Sequence, residues 1–270
     1  MEHSHQHPSA LVPPGLIAAK SWLRGKNVER HTVDNWLKSG QLVAVARGVF
    51  KRPDTDLTWQ GVVCSLQRMG LDLTPGGMTS LALQGMTHYL SPRDQETIQL
   101  YGQSQLPDWV NKLLPENIFV RHTQLELDSS SDTDPGFHLV PWKTQMLPFG
   151  HDKWSLQISS PELAILEVLM DVPKSVSFEH ANNLIQGLPT LSPQKLTRLL
   201  EHCQNVKVKR LILWLAERNH SPWLKKLDLE KFSIAGGMLG SGKRVIATDG
   251  KLDGKYLITV PADMAGESLG

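Results

Sequence analysis

Asn27 to Pro53, NVERHTVDNWLKSGQLVAVARGVFKRP, is the stretch from which the rest of the chain is read. Its first half places Val33, Trp36 and Leu37 on one helical apolar stripe. Asn27 precedes them as a cap, and Gly40 follows where a left-handed residue ends a helix. The opposite face carries Arg30, His31, Asn35 and Lys38, side chains whose donors read base edges or grip phosphates. In the second half, LVAVA and VFKR are β-prone runs joined by Arg47-Gly48, a turn of the kind hairpins favour. Arg47, Lys51 and Arg52 line that hairpin with cations. Helix, then hairpin, with basic residues along both, is the plan of a winged helix-turn-helix and predicts docking on duplex DNA. The bland alternative is an ordinary helix and hairpin bearing solvated charge.

Upstream, Pro13-Pro14-Gly15 leads into LIAAKSWLRGKN, where Ile17, Ala18, Trp22 and Leu23 predict a bracing helix. Gly25-Lys26-Asn27 would make the short turn between the two helices, and Lys20, Arg24 and Lys26 would reach the phosphate backbone. The first ten residues hold His3, His5 and His7 in a polar tail, read as a disordered terminus rather than a metal site.

The chain has 270 residues, 40% of them apolar and 20% charged, which suits a globular protein of two or more domains. No apolar run is long enough to cross a bilayer and no signal-peptide core is present, so a cytoplasmic location is expected. Cys64 and Cys203 each fall on an apolar helix face and are read as buried thiols. The net charge of +1 hides an asymmetry. Residues 1–52 carry eight Lys/Arg against three Asp/Glu (+5), residues 53–170 six against fourteen (−8), and residues 171–270 fourteen against ten (+4). A basic head on an acidic middle suits a polyanion bound at one place.

Downstream, Thr58 is read as the cap of a helix over Trp59, Val62, Val63, Leu66 and Met69, and Met78–Gln84 as a short helix stopped by Gly85. ETIQLYG, NIFVRHT, FHLVPW and WSLQIS read as strands, with PDWVNKLL a helix among them. His88-Tyr89 has no nucleophile or carboxylate beside it and is read as packing. Asp132 and Asp134 lie in a Ser- and Pro-rich loop that no strand holds rigid, so metal binding is not expected there. From Ser159 the period becomes helical, with Ser159 and Glu162 as a capping box and Ser177 and Ser192 opening the next two helices. A fourth helix runs from Lys207 to Arg218. Lys207, Lys209 and Arg210 crowd its positive end, which hints at an anionic partner. RVIAT and YLITV then read as a terminal hairpin with Asp-Gly turns.

Gly237, Gly242 and Lys243 match the G-x-x-x-x-G-K of a phosphate-binding loop. Arg244 stands where that loop needs Ser or Thr for magnesium, and the following residues read as a strand rather than a helix. Nucleotide hydrolysis is therefore not expected. Lys243 and Arg244 are retained, with Lys207, Lys209 and Arg210, as candidates for contact with a partner.

Taken in order, VDNWLKSGQLVAVARGVFKRP, GGMTSLALQGMTHYL, VKVKRLILWLAERNHSPWL and GSGKRVIATDGKLDGKYLITVP resemble the bacterial AbiEi antitoxins of type IV toxin–antitoxin systems, proteins of phage defence by abortive infection. The resemblance implies an α+β protein with an N-terminal winged helix-turn-helix over residues 1–55 and a larger mixed α/β antitoxin domain over 56–270. Within the latter, 56–158 would mix strands and helices, and 159–270 would be mainly helical with a terminal hairpin. It implies that the helix Val28–Ser39 enters the major groove and that the Arg47-Gly48 wing lies along the backbone or minor groove. It further implies repression of its own promoter through inverted repeats, and neutralisation of a nucleotidyltransferase toxin. From the residues themselves no enzymatic activity, cofactor or metal is expected. One departure is that family members often carry an aromatic near Gln41 and a tyrosine at Phe50. A second reading is a winged-helix regulator whose larger part senses a ligand or partner. A third, an enzyme, lacks a carboxylate cluster at recognisable spacing.

Overall fold

The computed structural model describes residues 7–87, 95–128, 142–150 and 154–265. His3, His5, His88, Tyr89, Asp132, Asp134 and the FHLVP run fall outside them. The chain forms two compact units, each assembled from separate stretches. The first comprises Met1–Pro75, Pro92–Thr123 and Met146–Ile158, and the second Gly76–Ser91, Gln124–Gln145 and Ser159–Gly270. The fold is mixed α+β with small sheets.

The first unit begins with a single helical turn, Pro8–Leu11 (α1), capped by the His7 side chain. Ile17–Ala19 (β1) comes next, then Lys20–Gly25 (α2) and Arg30–Lys38 (α3). The upstream helix is thus shorter than predicted. Ile17 and Ala18 bury themselves not on a helix but in a strand paired with Val49–Lys51. That strand (β3) also pairs with Val43–Ala46 (β2), giving the order β1-β3-β2. Ala46 lies opposite Val49, so Arg47-Gly48 is the hairpin turn expected, with Gly48 at φ 73 supplying the backbone that hairpins ask of glycine. Val12, Ala18, Leu23, Val28, Val33, Trp36, Leu42 and Phe50 close one apolar cluster between helices and sheet.

Helix Trp59–Arg68 (α4) starts at Thr58, whose hydroxyl accepts the Gly61 N–H at 3.2 Å. It is pinned to β1 by Ser65, whose hydroxyl accepts the Ile17 N–H at 2.9 Å while donating to the Gly61 carbonyl at 2.7 Å. Thr74–Pro75 (β4) precedes Gly77–Leu83 (α5), which belongs to the second unit. Glu96–Tyr101 (β5), the short helix Val110–Leu113 (α6) and Asn117–His122 (β6) return to the first, in a sheet of order β4-β5-β6. Thr144–Phe149 (β7), which periodicity had not suggested, pairs with Trp154–Ser159 (β8). Gln67 on α4 fastens β8, donating to the Gln157 carbonyl at 2.8 Å and accepting the Gln157 N–H at 3.1 Å.

In the second unit, Pro161–Met170 (α7) is buried on every side from Pro161 to Leu169. Its cap is Ser160, not the predicted Ser159: the Ser160 hydroxyl accepts the Leu163 N–H at 3.3 Å. Ser159 instead donates to the Glu167 carboxylate at 3.1 Å, and Glu162 accepts the Ser192 N–H at 2.7 Å. Helices Phe178–Gln186 (α8), Pro193–His202 (α9) and Val206–Arg218 (α10) are capped by Ser177, Ser192 and Asn205. Leu184, Leu196, Leu199, Leu211 and Leu215 are among the residues that fill the shared core. Cys64 and Cys203 are buried free thiols, as read, and burial pushes both up from their ordinary pKa.

The terminal hairpin differs from its prediction. Lys251–Asp253 (β9) pairs with Ile258–Val260 (β10), while RVIAT lies alongside with a bridge at Arg244 and hydrogen bonds to Thr259. Arg244 bonds Leu257 through its N–H and Thr259 through its carbonyl, and Ile246 and Ala247 both bond Thr259, so the run is held to Leu257–Thr259 by one parallel bridge rather than along a full ladder.

Candidate nucleic-acid interface

Helix α3 divides cleanly by burial. Val33 and Trp36 are 2% and 7% exposed and hold it to the cluster, while Arg30, His31, Asn35 and Lys38 are exposed. The turn before it is made differently from the sequence reading. Asn27 does not cap: it sits at φ 61, the left-handed conformation that Asn tolerates better than most residues, and turns the chain between α2 and α3. Glu29 is the N-cap residue, without a side-chain cap bond, so the helix runs Arg30–Lys38 rather than Val28–Ser39. Gly40 at φ 70 ends it as expected.

Two of the outward side chains have acidic neighbours. Arg30 Nε lies 3.8 Å from Asp34 Oδ2, and His31 Nδ1 lies 3.0 Å from Glu29 Oε2. Both pairs are largely exposed, where such contacts are screened and weak, so an incoming phosphate competes with them at little cost. Lys20, Arg24 and Lys26 are exposed on the preceding helix and turn.

The wing divides as well. Arg47 is exposed at the tip. Lys51, predicted to face DNA, is half-buried, and its ammonium donates to the Thr55 carbonyl, tying down the chain as it leaves β3. Arg52 is half-buried, and its carbonyl accepts the Thr55 hydroxyl at 3.0 Å. Sequence reading missed Arg68, whose guanidinium lies 6.0 Å from the Trp22 ring centre and 5.1 Å from that of Trp154. Its partners are far away in sequence, so no local signal marked it.

The cations of α10 turn inward, against expectation. Lys207 donates to the Met170 and Val172 carbonyls at 2.6 and 2.7 Å; burial pulls its ammonium pKa down, with Asp171 opposing and Lys174 adding to the fall. Lys209 is 8% exposed, and Arg210 is fully buried. Arg210 donates through Nε to the Leu239 carbonyl (2.9 Å), through Nη1 to Gly242 (2.6 Å) and Leu257 (3.1 Å), and through Nη2 to Gly240 (3.1 Å). A guanidinium presents five donors in a fixed fork, which is why it can gather carbonyls from two separate stretches of chain. The crowding at the start of α10 thus serves packing of the unit, and only Lys243 and Arg244 of that set are exposed.

Among the described residues no group of three or more His, Cys, Asp or Glu is placed to hold a metal, and no described helix is long and apolar enough to cross a membrane.

Comparison with known proteins matches the chain in two consecutive stretches. Residues 2–92 match the N-terminal domain of AbiEi antitoxin transcriptional regulators, and residues 95–261 match the AbiEi antitoxin transcriptional regulators of type IV toxin–antitoxin systems. The chain is thus a transcriptional regulator of the antitoxin class rather than an enzyme. It belongs to the AbiEi family. No curated protein matches it. The crystal structure of the RV2827C protein from Mycobacterium tuberculosis is similar over 90% of this chain and 85% of its own, with 14% identity and a TM-score of 0.47.

Proposed function

We propose that this antitoxin represses its own promoter by laying α3 in the major groove of inverted repeats, with the Arg47-Gly48 wing along the backbone. The strand β1, helices α2 and α3, and the β2-β3 hairpin are then a winged helix-turn-helix. The observation that carries this reading is the split on α3: apolar residues anchor one side while Arg30, His31, Asn35 and Lys38 are left to solvent on the other. Exposed long donors on a braced helix are what direct readout of base edges requires. Lys20, Arg24, Lys26 and Arg47 supply phosphate contacts that set register but not sequence.

The toxin countered is of the nucleotidyltransferase class, and neutralisation resides in the part of the chain beyond the hairpin. The test is a footprint on the promoter upstream of the gene, repeated over a range of salt, together with growth rescue when the neighbouring toxin is co-expressed. Two protected half-sites, affinity that falls steeply with salt, and rescue by a truncation lacking residues 1–55 are expected. Promoter binding without rescue by either form would leave a regulator with no antitoxin role.

A further inference from the structure

The glycine-rich loop of the second unit has an anion site's construction, although it is not a nucleotide-hydrolysing loop. Ser241, Gly242, Lys243 and Arg244 are all exposed. Gly240 and Gly242 sit at φ 64 and 75 on either side of Ser241, left-handed backbone of the kind from which anion-binding concavities of successive N–H groups are built. The loop's carbonyls at Leu239, Gly240 and Gly242 are taken up from beneath by Arg210. Its amides are not: among the described residues nothing accepts the N–H groups of Ser241, Gly242 or Lys243.

Charge makes the same point independently. Arg210, Lys243 and Arg244 come together here, and among the described residues no carboxylate pairs with any of them. Arg244 raises the cost of the buried Arg210 charge rather than relieving it. Carbonyls held inward, free amides and uncompensated cations together ask for an anion.

We propose that the Ser241–Arg244 loop binds phosphate, using the open N–H groups of Ser241, Gly242 and Lys243 and the side chains of Lys243 and Arg244. The phosphate belongs either to a nucleic-acid backbone, giving the second unit its own hold on DNA, or to a free nucleotide. No bond is made or broken. The site lacks the hydroxyl that would hold magnesium, and binding is its whole chemistry. It stands apart from the reading of α3, so either one can fail alone.

The test uses the full chain, wild type against Lys243→Ala/Arg244→Ala and against Gly242→Ala. The double variant removes two exposed cations. Gly242→Ala keeps both charges and disturbs only the φ 75 backbone, since its Cβ would meet nothing nearer than Arg244 Nη1 at 3.6 Å. Three readouts are taken: calorimetric titration with inorganic pyrophosphate, the same with a nucleoside triphosphate, and the salt dependence of binding to a promoter duplex. A backbone phosphate predicts a salt slope smaller by about two in the double variant, with nucleotide binding unchanged. A nucleotide predicts at least about tenfold weaker nucleotide binding, with the slope unchanged. In either case Gly242→Ala moves the same readout in the same direction. The proposal is overturned if all three readouts match wild type in the double variant, or if Gly242→Ala behaves as wild type, which leaves diffuse charge and no built site.

Discussion

The Glu167 carboxylate accepts the Gly77 N–H at 2.8 Å and lies 1% exposed between the start of α5 and the end of β8. Ser159 donates to its other oxygen at 3.1 Å. Two donors do not replace the water lost, and burial pushes the carboxyl from its ordinary 4.5 up to about 8. Between those values the folded chain keeps a proton that the unfolded chain has released, so stability falls as pH rises through that window and levels off above it. Urea midpoints at several pH values should show this slope in the wild type and lose it in Glu167→Gln, which keeps the shape and at least one acceptor. A parallel slope in both proteins would mean the carboxyl ionises normally. Glu167→Ala should cost about 1–3 kcal/mol, because it strands the Gly77 and Ser159 donors.

Replacing Arg210 should be among the most damaging changes in the second unit. Arg210→Leu leaves carbonyls of Leu239, Gly240 and Gly242 unpaired and Leu257 with the Arg244 N–H alone, and about 3–5 kcal/mol is expected by denaturation. Arg210→Lys should recover little, since one ammonium cannot span carbonyls that the fork reaches through three nitrogens. Full recovery by lysine would show that charge alone matters there.

On α3 the two faces should respond in opposite ways. Arg30→Ala and Asn35→Ala are expected to weaken operator binding and relax base preference by about 1–3 kcal/mol while leaving the melting temperature in place. Trp36→Ala should destabilise the first unit by about 3–5 kcal/mol. Footprints that stay the same in both surface variants would remove α3 as the reading element.

The wing separates its cations by the same logic. Arg47→Ala should lower the salt slope of DNA binding by about one. Lys51→Met should act on stability instead, since its ammonium holds the Thr55 carbonyl. A measured drop in slope for Lys51→Met equal to that of Arg47→Ala would place both on the DNA.

Gly61 has no such division. A Cβ there would lie 2.3 Å from the Gly15 carbonyl oxygen, where α4 approaches the chain entering β1. Gly61→Ala should cost about 1–3 kcal/mol in a urea titration, since backbone rather than a pliable side chain has to move. Unchanged stability would mean that the approach relaxes freely.

What the sequence alone determined was whatever depends on neighbours a few residues apart. The α3 stripe of Val33 and Trp36, the Arg47-Gly48 turn, the Thr58, Ser177 and Ser192 caps and the Gly85 stop are set by local periodicity, hydrogen bonding and backbone preference, and each was legible. What only the tertiary structure decided was the fate of residues whose partners are distant in the chain. Ile17 and Ala18 carry a helical pattern but are drawn into a strand by β3 and by Ser65. Ser159 fits a capping box but is claimed by Glu167, and Ser160 caps in its place. Arg210 reads as a surface cation at a helix start, yet it ends fully buried because carbonyls 29 to 47 residues ahead converge on it. Pattern tells which side of an element is apolar; only the packed chain tells which polar groups find one another, because that pairing is paid for by desolvation at long range.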